Sequence, residues 1–193
     1  MPTLLLKFNA PLQAWGTSLK LKNHETDIYP SKSGVVGMIA SAMGRRRDAD
    51  ISDLAKLKFG VRIDQSGILV DDFQVSEVSV KEKKIGHRKY LSDACFTCGI
   101  EAESSELEMI KEALCHPANA LFLGRRGCPV TADLVIKIVD DSLGEALENY
   151  DKENGFKQII MDTDNIFGEA VRDVPVSFSP FNRQYRYRFI ECR

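Results

Sequence analysis

The chain has 193 residues, of which 44% are hydrophobic and 28% charged, and its formal net charge is −2. This composition predicts a globular chain and excludes a disordered one and a strongly basic protein that coats nucleic acid. No apolar run approaches the roughly 20 residues that span a bilayer, and the first residues lack the basic and cleavage regions of a signal peptide. We therefore expect a cytoplasmic protein whose five cysteines are reduced.

The first predicted elements are a strand and a helix. An apolar run predicts a strand at 3–8, and a helix is expected to begin at Ser31 or Ser33 and to run to Met43. Gly44 is the expected stop of this helix, because a glycine readily adopts the left-handed conformation that ends helices.

Strand and helix patterns then alternate to the C-terminus. In chain order they are a short helix at 52–57, strands at 59–64 and 68–80 joined by a turn at 65–67, a basic segment at 81–89, a strand at 90–102, a helix that a capping box at Ser105 begins, a strand at 134–139, a helix that a second capping box at Ser142 begins, and a hairpin over the last 35 residues. This order predicts an α+β fold, ferredoxin-like at its N-terminus, with the helices on one face of the sheet.

The start of the first helix has the features of an anion site. Lys32, Ser33, Gly34 and Gly37 meet where free backbone N–H groups and the helix dipole favour a negative charge. The glycines would let a phosphate backbone approach closely. The alternative is a helix start whose glycines only allow close packing against a neighbouring element.

Two further segments concentrate cations. Residues 81–89 hold five cations and a histidine, and they are expected to project as a basic finger that neutralises phosphates. Arg125 and Arg126 lie in a tight loop at 124–129, where arginine side chains suit phosphate oxygens and guanine edges. The alternative for both segments is an ordinary solvated loop.

Near the C-terminus, cations alternate with aromatic residues over 183–189. If this segment is a strand, the aromatic side chains lie on one face and Arg186 and Arg188 on the other. We expect the aromatic face to belong to the core, and the alternative is a platform on which bases stack. Cys95 and Cys98 have a spacing that places their sulfurs on opposite faces of a strand, so we expect no metal site and no cofactor.

Four motifs in the same order resemble one known family. They are LLKFNAPLQAWG at 5–16, PSKSGVVG at 30–37, YLSDA at 90–94 and LFLGRRGCP at 121–129, and RDVP at 172–175 fits the family's tail. These stretches resemble the CasD subunits, the type I-E members of the fifth family of CRISPR-associated (Cas) proteins in the RAMP superfamily.

The resemblance implies a modified ferredoxin-like (RRM-like) RAMP domain over 1–150 with a short basic β-hairpin thumb at about 78–90. A small C-terminal β extension over 151–193 would pack on the same core. It also implies a non-catalytic RNA-binding subunit of a Cascade surveillance complex, which holds the 5′ handle of the CRISPR RNA and bridges the large and backbone subunits. The expected partners are CRISPR RNA, the other Cascade subunits and, through the complex, target DNA.

The motifs and the basic segments together define the predicted RNA-binding set. It consists of Gln13, Trp15, Lys32, Ser33, Gly34, Gly37, Arg45, Lys81, Lys83, Lys84, His87, Arg88, Arg125 and Arg126.

Two other functions stay open. In the type I-C branch of the family the equivalent protein is itself an endoribonuclease, so a metal-independent nuclease that cuts repeat RNA is the enzymatic alternative. Its candidates are His87 as general base, Lys84 or Lys89, and Tyr29. The third possibility is a structural bridge between protein subunits with no RNA contact of its own.

Overall fold

A computed structural model describes residues 1–16, 25–79, 82–152 and 155–193. Its elements in chain order are β1 (Thr3–Gln13), α1 (Lys32–Ala42), α2 (Ser52–Ala55), β2 (Lys58–Gln65), β3 (Ile68–Ser79), β4 (Glu82–Glu101), α3 (Ser104–Cys115), β5 (Val135–Val139), α4 (Leu143–Asn149), β6 (Gln158–Asp162), β7 (Glu169–Ser177) and β8 (Gln184–Cys192). The predicted mixture of helices with a β-sheet is confirmed. Within these ranges no helix has the length and apolarity needed to cross a membrane.

The strands form one antiparallel sheet. Its order is β5-β1-β4-β2-β6-β8-β7, and β3 pairs with β4 off this path. At the centre, β4 lies between β1 and β2, and β1 also pairs with β5. Because β6 pairs with β2, the C-terminal strands continue the same sheet.

Strand β4 has 20 residues and serves two parts of the molecule. Its second half lies in the middle of the sheet, while its first half pairs with β3 from Ile68 opposite Ser92 to Ser79 opposite Glu82. We call this pair of strands, residues 68–79 and 82–92, the thumb hairpin. It begins ten residues earlier than the expected thumb at 78–90.

Two strand partnerships differ from the prediction. The strands on either side of the turn at 65–67 do not pair with each other, because β2 and β3 both pair with β4. A turn between two strands forms a hairpin only when those two strands pair with each other. Here the long β4 offers an apolar core half to β2 and a polar projecting half to β3.

The sheet is covered on both faces. Leu4, Leu6 and Phe8 of β1 lie in the large core with helices α1 and α3, whereas Leu5 lies on the other face with helix α4. The expectation that the helices share one face is therefore wrong for α4. Gly99 lets α4 pack close to the sheet, since a Cβ at this position would lie 2.6 Å from a methyl group of Leu143.

The helix ends follow the sequence with one exception. Ser31 caps α1 by accepting a hydrogen bond from the Gly34 N–H, and Gly44 has a φ of +72° just beyond the helix. The capping box at Ser142 is present. The box predicted at Ser105 is not, because α3 begins earlier and Glu103 occupies the cap position without a side-chain hydrogen bond.

The C-terminal strand β8 leaves Arg186 exposed, as expected, but otherwise differs from the prediction. Arg188 and Ile190 are buried, whereas Tyr187 is exposed and Tyr185 and Phe189 are only partly covered. The aromatic residues are therefore not the core face of this strand. Two carboxylates on neighbouring strands, the buried Asp173 and the partly buried Asp162, explain the burial of Arg188, because they offer ion pairs to its guanidinium.

Candidate nucleic-acid interface

The start of helix α1 already holds an anion that belongs to the chain. The Lys32 backbone N–H donates to a carboxylate oxygen of Asp173 at 2.7 Å, and the Gly34 N–H donates to the Ser31 hydroxyl. A carboxylate at this end of a helix is favoured by the dipole and by the free N–H groups. The expected phosphate position is thus filled from within.

Lys32 itself is buried. Its side chain is 6% exposed, and its ammonium nitrogen lies 2.9 Å from an Asp162 carboxylate oxygen. Asp162 also accepts a hydrogen bond from the Arg188 guanidinium at 2.6 Å and from the Phe59 backbone N–H at 3.0 Å. This geometry commits the Lys32 side chain to ion pairing inside the protein.

Arg188 completes what we call the ion cluster, which consists of Lys32, Asp162, Asp173 and Arg188. Its guanidinium donates twice to Asp173, at 2.6 and 2.9 Å, and lies over the Phe59 ring. Burial alone would lower the pKa of Arg188, but the hydrogen bonds and charges of Asp173 and Asp162 outweigh it and raise the pKa. The two cations and two anions balance, so the cluster joins α1 to the C-terminal strands without a net buried charge.

Gln13 and Trp15 are core residues. The Trp15 indole N–H donates to the Gln13 side-chain oxygen at 2.9 Å, and the Gln13 amide donates to the backbone oxygens of Phe8 and Ala94. Both side chains are almost fully buried, and Trp15 stacks on Phe8. The motif at 5–16 therefore closes the end of β1 onto β4.

The two glycines of α1 allow close packing. A Cβ at Gly34 would lie 3.0 Å from the Trp15 ring, and a Cβ at Gly37 would lie 3.4 Å from the Phe178 ring. Ser33, between them and Lys32, is also buried. The packing alternative therefore accounts for the two glycines, because the start of α1 lies close against two aromatic rings.

Two basic motifs that are distant in sequence meet at the base of the thumb hairpin. The Arg125 guanidinium donates to the Lys89 backbone oxygen at 2.9 Å and to the Glu25 backbone oxygen at 3.3 Å. Its carbon lies 4.9 Å from the centre of the Tyr90 ring. Arg125 thereby attaches the loop at 124–129 to strand β4. We call Arg88, Lys89, Arg125 and Arg126 the basic ridge.

The members of the basic ridge differ in how freely they can bind a ligand. Arg88 and Arg126 are exposed, while Arg125 is half-buried by its contacts. The Lys89 ammonium lies 3.6 Å from a Glu25 carboxylate oxygen. The ridge is therefore a scaffold, in which Arg125 positions the loop and Arg88 and Arg126 present guanidinium groups to solvent.

The other predicted cations of the thumb lie further along the hairpin. His87 is exposed, with its Nδ1 atom 3.2 Å from an Asp71 oxygen and its ring edge-on to Phe73. Lys83 and Lys84 pair through their backbones with Glu77 and Ser76, and their side chains lie outside what the structure describes. Lys81 lies outside the described residues.

Arg45 lies apart from the ridge, at the other end of α1. Its guanidinium donates twice to the Asp53 carboxylate, at 2.6 and 2.5 Å, and once to the Asp50 backbone oxygen. These contacts raise the pKa of Arg45 through the Asp53 hydrogen bonds. Arg45 thus closes the turn between α1 and α2.

Comparison with known proteins identifies the family. Residues 3–191 match the family described as CRISPR-associated protein (Cas_Cas5). The chain belongs to the Cas5 family. This Cas5 chain is also similar to the Cascade subunit CasD of Escherichia coli strain K12, with 30% identity over 79% of the chain and 78% of the relative.

Two solved structures are similar to this Cas5 chain over 99% of its length. A crystal structure of a Cas protein shares 37% sequence identity with a TM-score of 0.77, and 93% of its chain is covered. A chain of a CRISPR RNA-guided surveillance complex shares 26% identity with a TM-score of 0.81, and 89% of its chain is covered.

The residues considered for RNA cleavage lie in two separate environments in this Cas5 chain. Tyr29 has Arg188, Asp27, Glu169 and Asp173 as its charged neighbours, whereas His87 lies on the thumb hairpin beside Asp71. Burial raises the pKa of Tyr29 to about 12, so its hydroxyl stays protonated at neutral pH. In the described parts of the chain, no three His, Cys, Asp or Glu side chains gather into a set that could hold a metal ion.

Sequence reasoning missed the carboxylates that organise the helix start. Asp162 and Asp173 stand in the C-terminal strands, 130 and 141 residues from Lys32. A local signal existed for Asp173, because on a strand it shares a face with the apolar residues Val171 and Pro175, where a buried carboxylate requires a partner. Which partner it takes depends on strand pairing, which the sequence pattern does not give.

Proposed function

We propose that this Cas5 chain is a non-catalytic, RNA-binding subunit of a Cascade-type surveillance complex. It would hold the 5′ handle of the CRISPR RNA and bridge the backbone and large subunits. The observation that carries the proposal is the basic ridge, where Arg125 attaches one arginine-bearing loop to the basic strand of the thumb hairpin. The relative named as a Cascade subunit and the similar chain from a surveillance complex support it.

The connectivity of the N-terminal part supports a ferredoxin-like RAMP domain. Apart from the inserted β3 and the short α2, the elements follow the order β1-α1-β2-β4-α3-β5, and the strands lie in the order β5-β1-β4-β2. This order is the one expected of a split βαβ arrangement of the ferredoxin-like type, and it supports that part of the proposal. Under this proposal the thumb hairpin is an insertion between the second and third core strands.

The ridge suits a single-stranded RNA backbone. Arg88 and Arg126 are exposed guanidinium groups on a rigid base, and guanidinium groups pair well with phosphate oxygens. Tyr90 and Arg125 form a stacked pair beside them. Unpaired bases of a handle could be read where they are splayed away from one another.

The thumb hairpin also offers an apolar contact for a protein neighbour. Phe73, Val75 and Ile85 are each more than half exposed, and Val75 lies directly opposite Ile85. Phosphates gain little from such a surface, whereas a backbone subunit could cover it. We therefore propose that RNA binds at the base of the thumb hairpin and that a protein subunit binds along it.

The RNA role is tested by comparing two double variants in complexes reconstituted on CRISPR RNA. We expect Arg88→Ala with Arg126→Ala to weaken assembly. The slope of log K against log salt concentration should become less steep by about 0.7 for each lost contact with single-stranded RNA. The matched control is Arg46→Ala with Arg47→Ala, which removes two exposed arginines beyond α1. Equal losses in both variants would mean that only total charge matters and would contradict the ridge.

The nuclease alternative needs its own experiment. The short distance between His87 and Asp71 favours it, because a carboxylate can orient an imidazole that acts as a general base. The chain is mixed with repeat RNA in EDTA and run on native and denaturing gels. Intact RNA is expected, whereas a discrete cut that His87→Ala abolishes would make the protein a processing enzyme.

A further inference from the structure

The turn between β6 and β7 presents two adjacent apolar side chains to solvent. Ile166 is 69% exposed and Phe167 is 90% exposed. We call residues 163–168 the knob. Two such side chains side by side are costly to leave in water, and an aromatic anchor is typical of the centre of a protein interface.

Hydrogen bonds within the turn hold the knob in one conformation. The Phe167 N–H donates to the Asn165 side-chain oxygen at 3.0 Å, and the Gly168 N–H donates to the Asn165 backbone oxygen at 3.0 Å. Thr163 donates from its backbone to Phe189 in β8. At Gly168, a Cβ would lie 2.7 Å from the Ile190 backbone oxygen, so the turn fits closely against the sheet.

The knob stands directly on the ion cluster. Asp162, the residue before it, binds Lys32, Arg188 and the Phe59 N–H. The turn therefore begins at one of the most firmly held positions of the C-terminal strands. A loop whose backbone is already held by hydrogen bonds loses little conformational entropy on binding, which favours affinity.

Two carboxylates flank the apolar side chains of the knob. Asp164 lies within it and Glu169 follows it, and both are exposed. Such a rim repels phosphates, so the occupant of this surface is not RNA.

We propose that the knob inserts Ile166 and Phe167 into an apolar pocket of another protein subunit whose rim carries lysine or arginine. The proposal rests on the proposed function only in seeking that subunit among the members of the same complex. It separates a protein-binding site on β6–β7 from the basic ridge at the thumb. The opposite charges of the two surfaces would direct RNA to the basic ridge and this subunit to the knob.

The first test is photo-crosslinking in the reconstituted complex, with benzoylphenylalanine in place of Phe167. The control places the same probe at Phe181, which is 99% exposed in the turn at the other end of the β7–β8 hairpin. The subunits are mixed with and without CRISPR RNA. We expect a cross-link from position 167 to an apolar segment next to lysines or arginines of one other subunit.

The second test measures the affinity of that subunit for three variants. Phe167→Ala is expected to weaken binding at least about ten-fold, as loss of an interface anchor does, whereas Phe181→Ala leaves it unchanged. Asp164→Lys with Glu169→Lys should slow association and reverse its salt dependence.

The outcomes separate the two proposals. Cross-links from position 167 to RNA, to a second copy of the chain or to no protein, in complexes that assemble, overturn the knob alone. A protein cross-link in subunit mixtures that do not respond to RNA supports the knob while the RNA role fails. Equal effects of Phe167→Ala and Phe181→Ala would also overturn it, since a specific anchor cannot be matched by an arbitrary exposed ring.

Discussion

Replacing Asp173 with asparagine should break the ion cluster and destabilise the whole chain. The carboxylate accepts two hydrogen bonds from Arg188, at 2.6 and 2.9 Å, and one from the Lys32 N–H at 2.7 Å, and it is 1% exposed. The amide would leave Arg188 with only Asp162 to balance its buried charge. Breaking a buried ion pair costs about 3–5 kcal/mol, and the remaining partner places this case near 3.

The measurement is the free energy of unfolding from urea titration, supported by thermal melting. For a chain of this size about 3 kcal/mol corresponds to a melting temperature lower by about 6–12 °C. Asp53→Asn is the matched control, because it breaks the exposed Arg45–Asp53 pair and should cost less than about 1 kcal/mol. Arg188→Met with Asp173→Leu should recover part of the loss, since apolar groups can replace a buried pair.

The reasoning is refuted if Asp173→Asn costs no more than Asp53→Asn. That result would mean that the cluster is hydrated in solution or that the C-terminal strands hold to α1 by apolar contacts alone. No recovery in the double apolar variant would show that the Lys32 N–H needs an acceptor as much as Arg188 needs charge balance, because an amide oxygen at position 173 can still accept that hydrogen bond whereas leucine cannot.

Three further predictions follow from single positions. Gly34→Ala should cost about 1–3 kcal/mol because its Cβ meets the buried Trp15 ring, whereas Gly86→Ala meets nothing within 4 Å and should not, as thermal melting will show. The Tyr29 pKa, raised to about 12, lies above its unfolded value near 10, so the neutral phenol contributes stability below pH 10 that is lost as the pH rises towards 12. Between pH 8 and pH 11 the free energy of unfolding in urea should therefore fall less for Tyr29→Phe than for the wild type, and an equal fall would contradict the assignment. Burial raises the pKa of the Cys98 thiol, so a thiol reagent should modify the exposed Cys115 in the native protein and Cys98 only after unfolding; early labelling of Cys98 would show that the core opens.

Local signals predicted most of the elements but not their partners. The N-cap at Ser31, the stop at Gly44 and the capping box at Ser142 are short-range features, and all three are present. The pairing of both β2 and β3 with β4 joins residues up to 43 positions apart, and no local pattern encodes it. The position of α4 opposite the other helices likewise depends on which sheet face is left uncovered.

The predicted site separated in the same way. Motif resemblance brought together residues that the structure divides between a buried group around Trp15 and Lys32 and an exposed group around Arg126. A motif marks positions that matter to a family without telling packing from binding. What the sequence could not show was the contact between Arg125 and Lys89, which creates the ridge across 36 positions.

The shared strand β4 has a consequence for how this molecule could change its reach. Its eleven residues in the hairpin extend about 34 Å between first and last, at roughly 3.4 Å per residue, and they continue without a break into the central sheet. An insertion of one residue in each arm would turn every side chain between the insertion and the tip of the hairpin to the opposite face. Two residues added to each strand, near Val75 and near Ile85, would lengthen the hairpin by about 7 Å and leave both faces and the core unaltered. The length of the thumb hairpin can thus change in steps of two residues per strand without any change in the core of the domain.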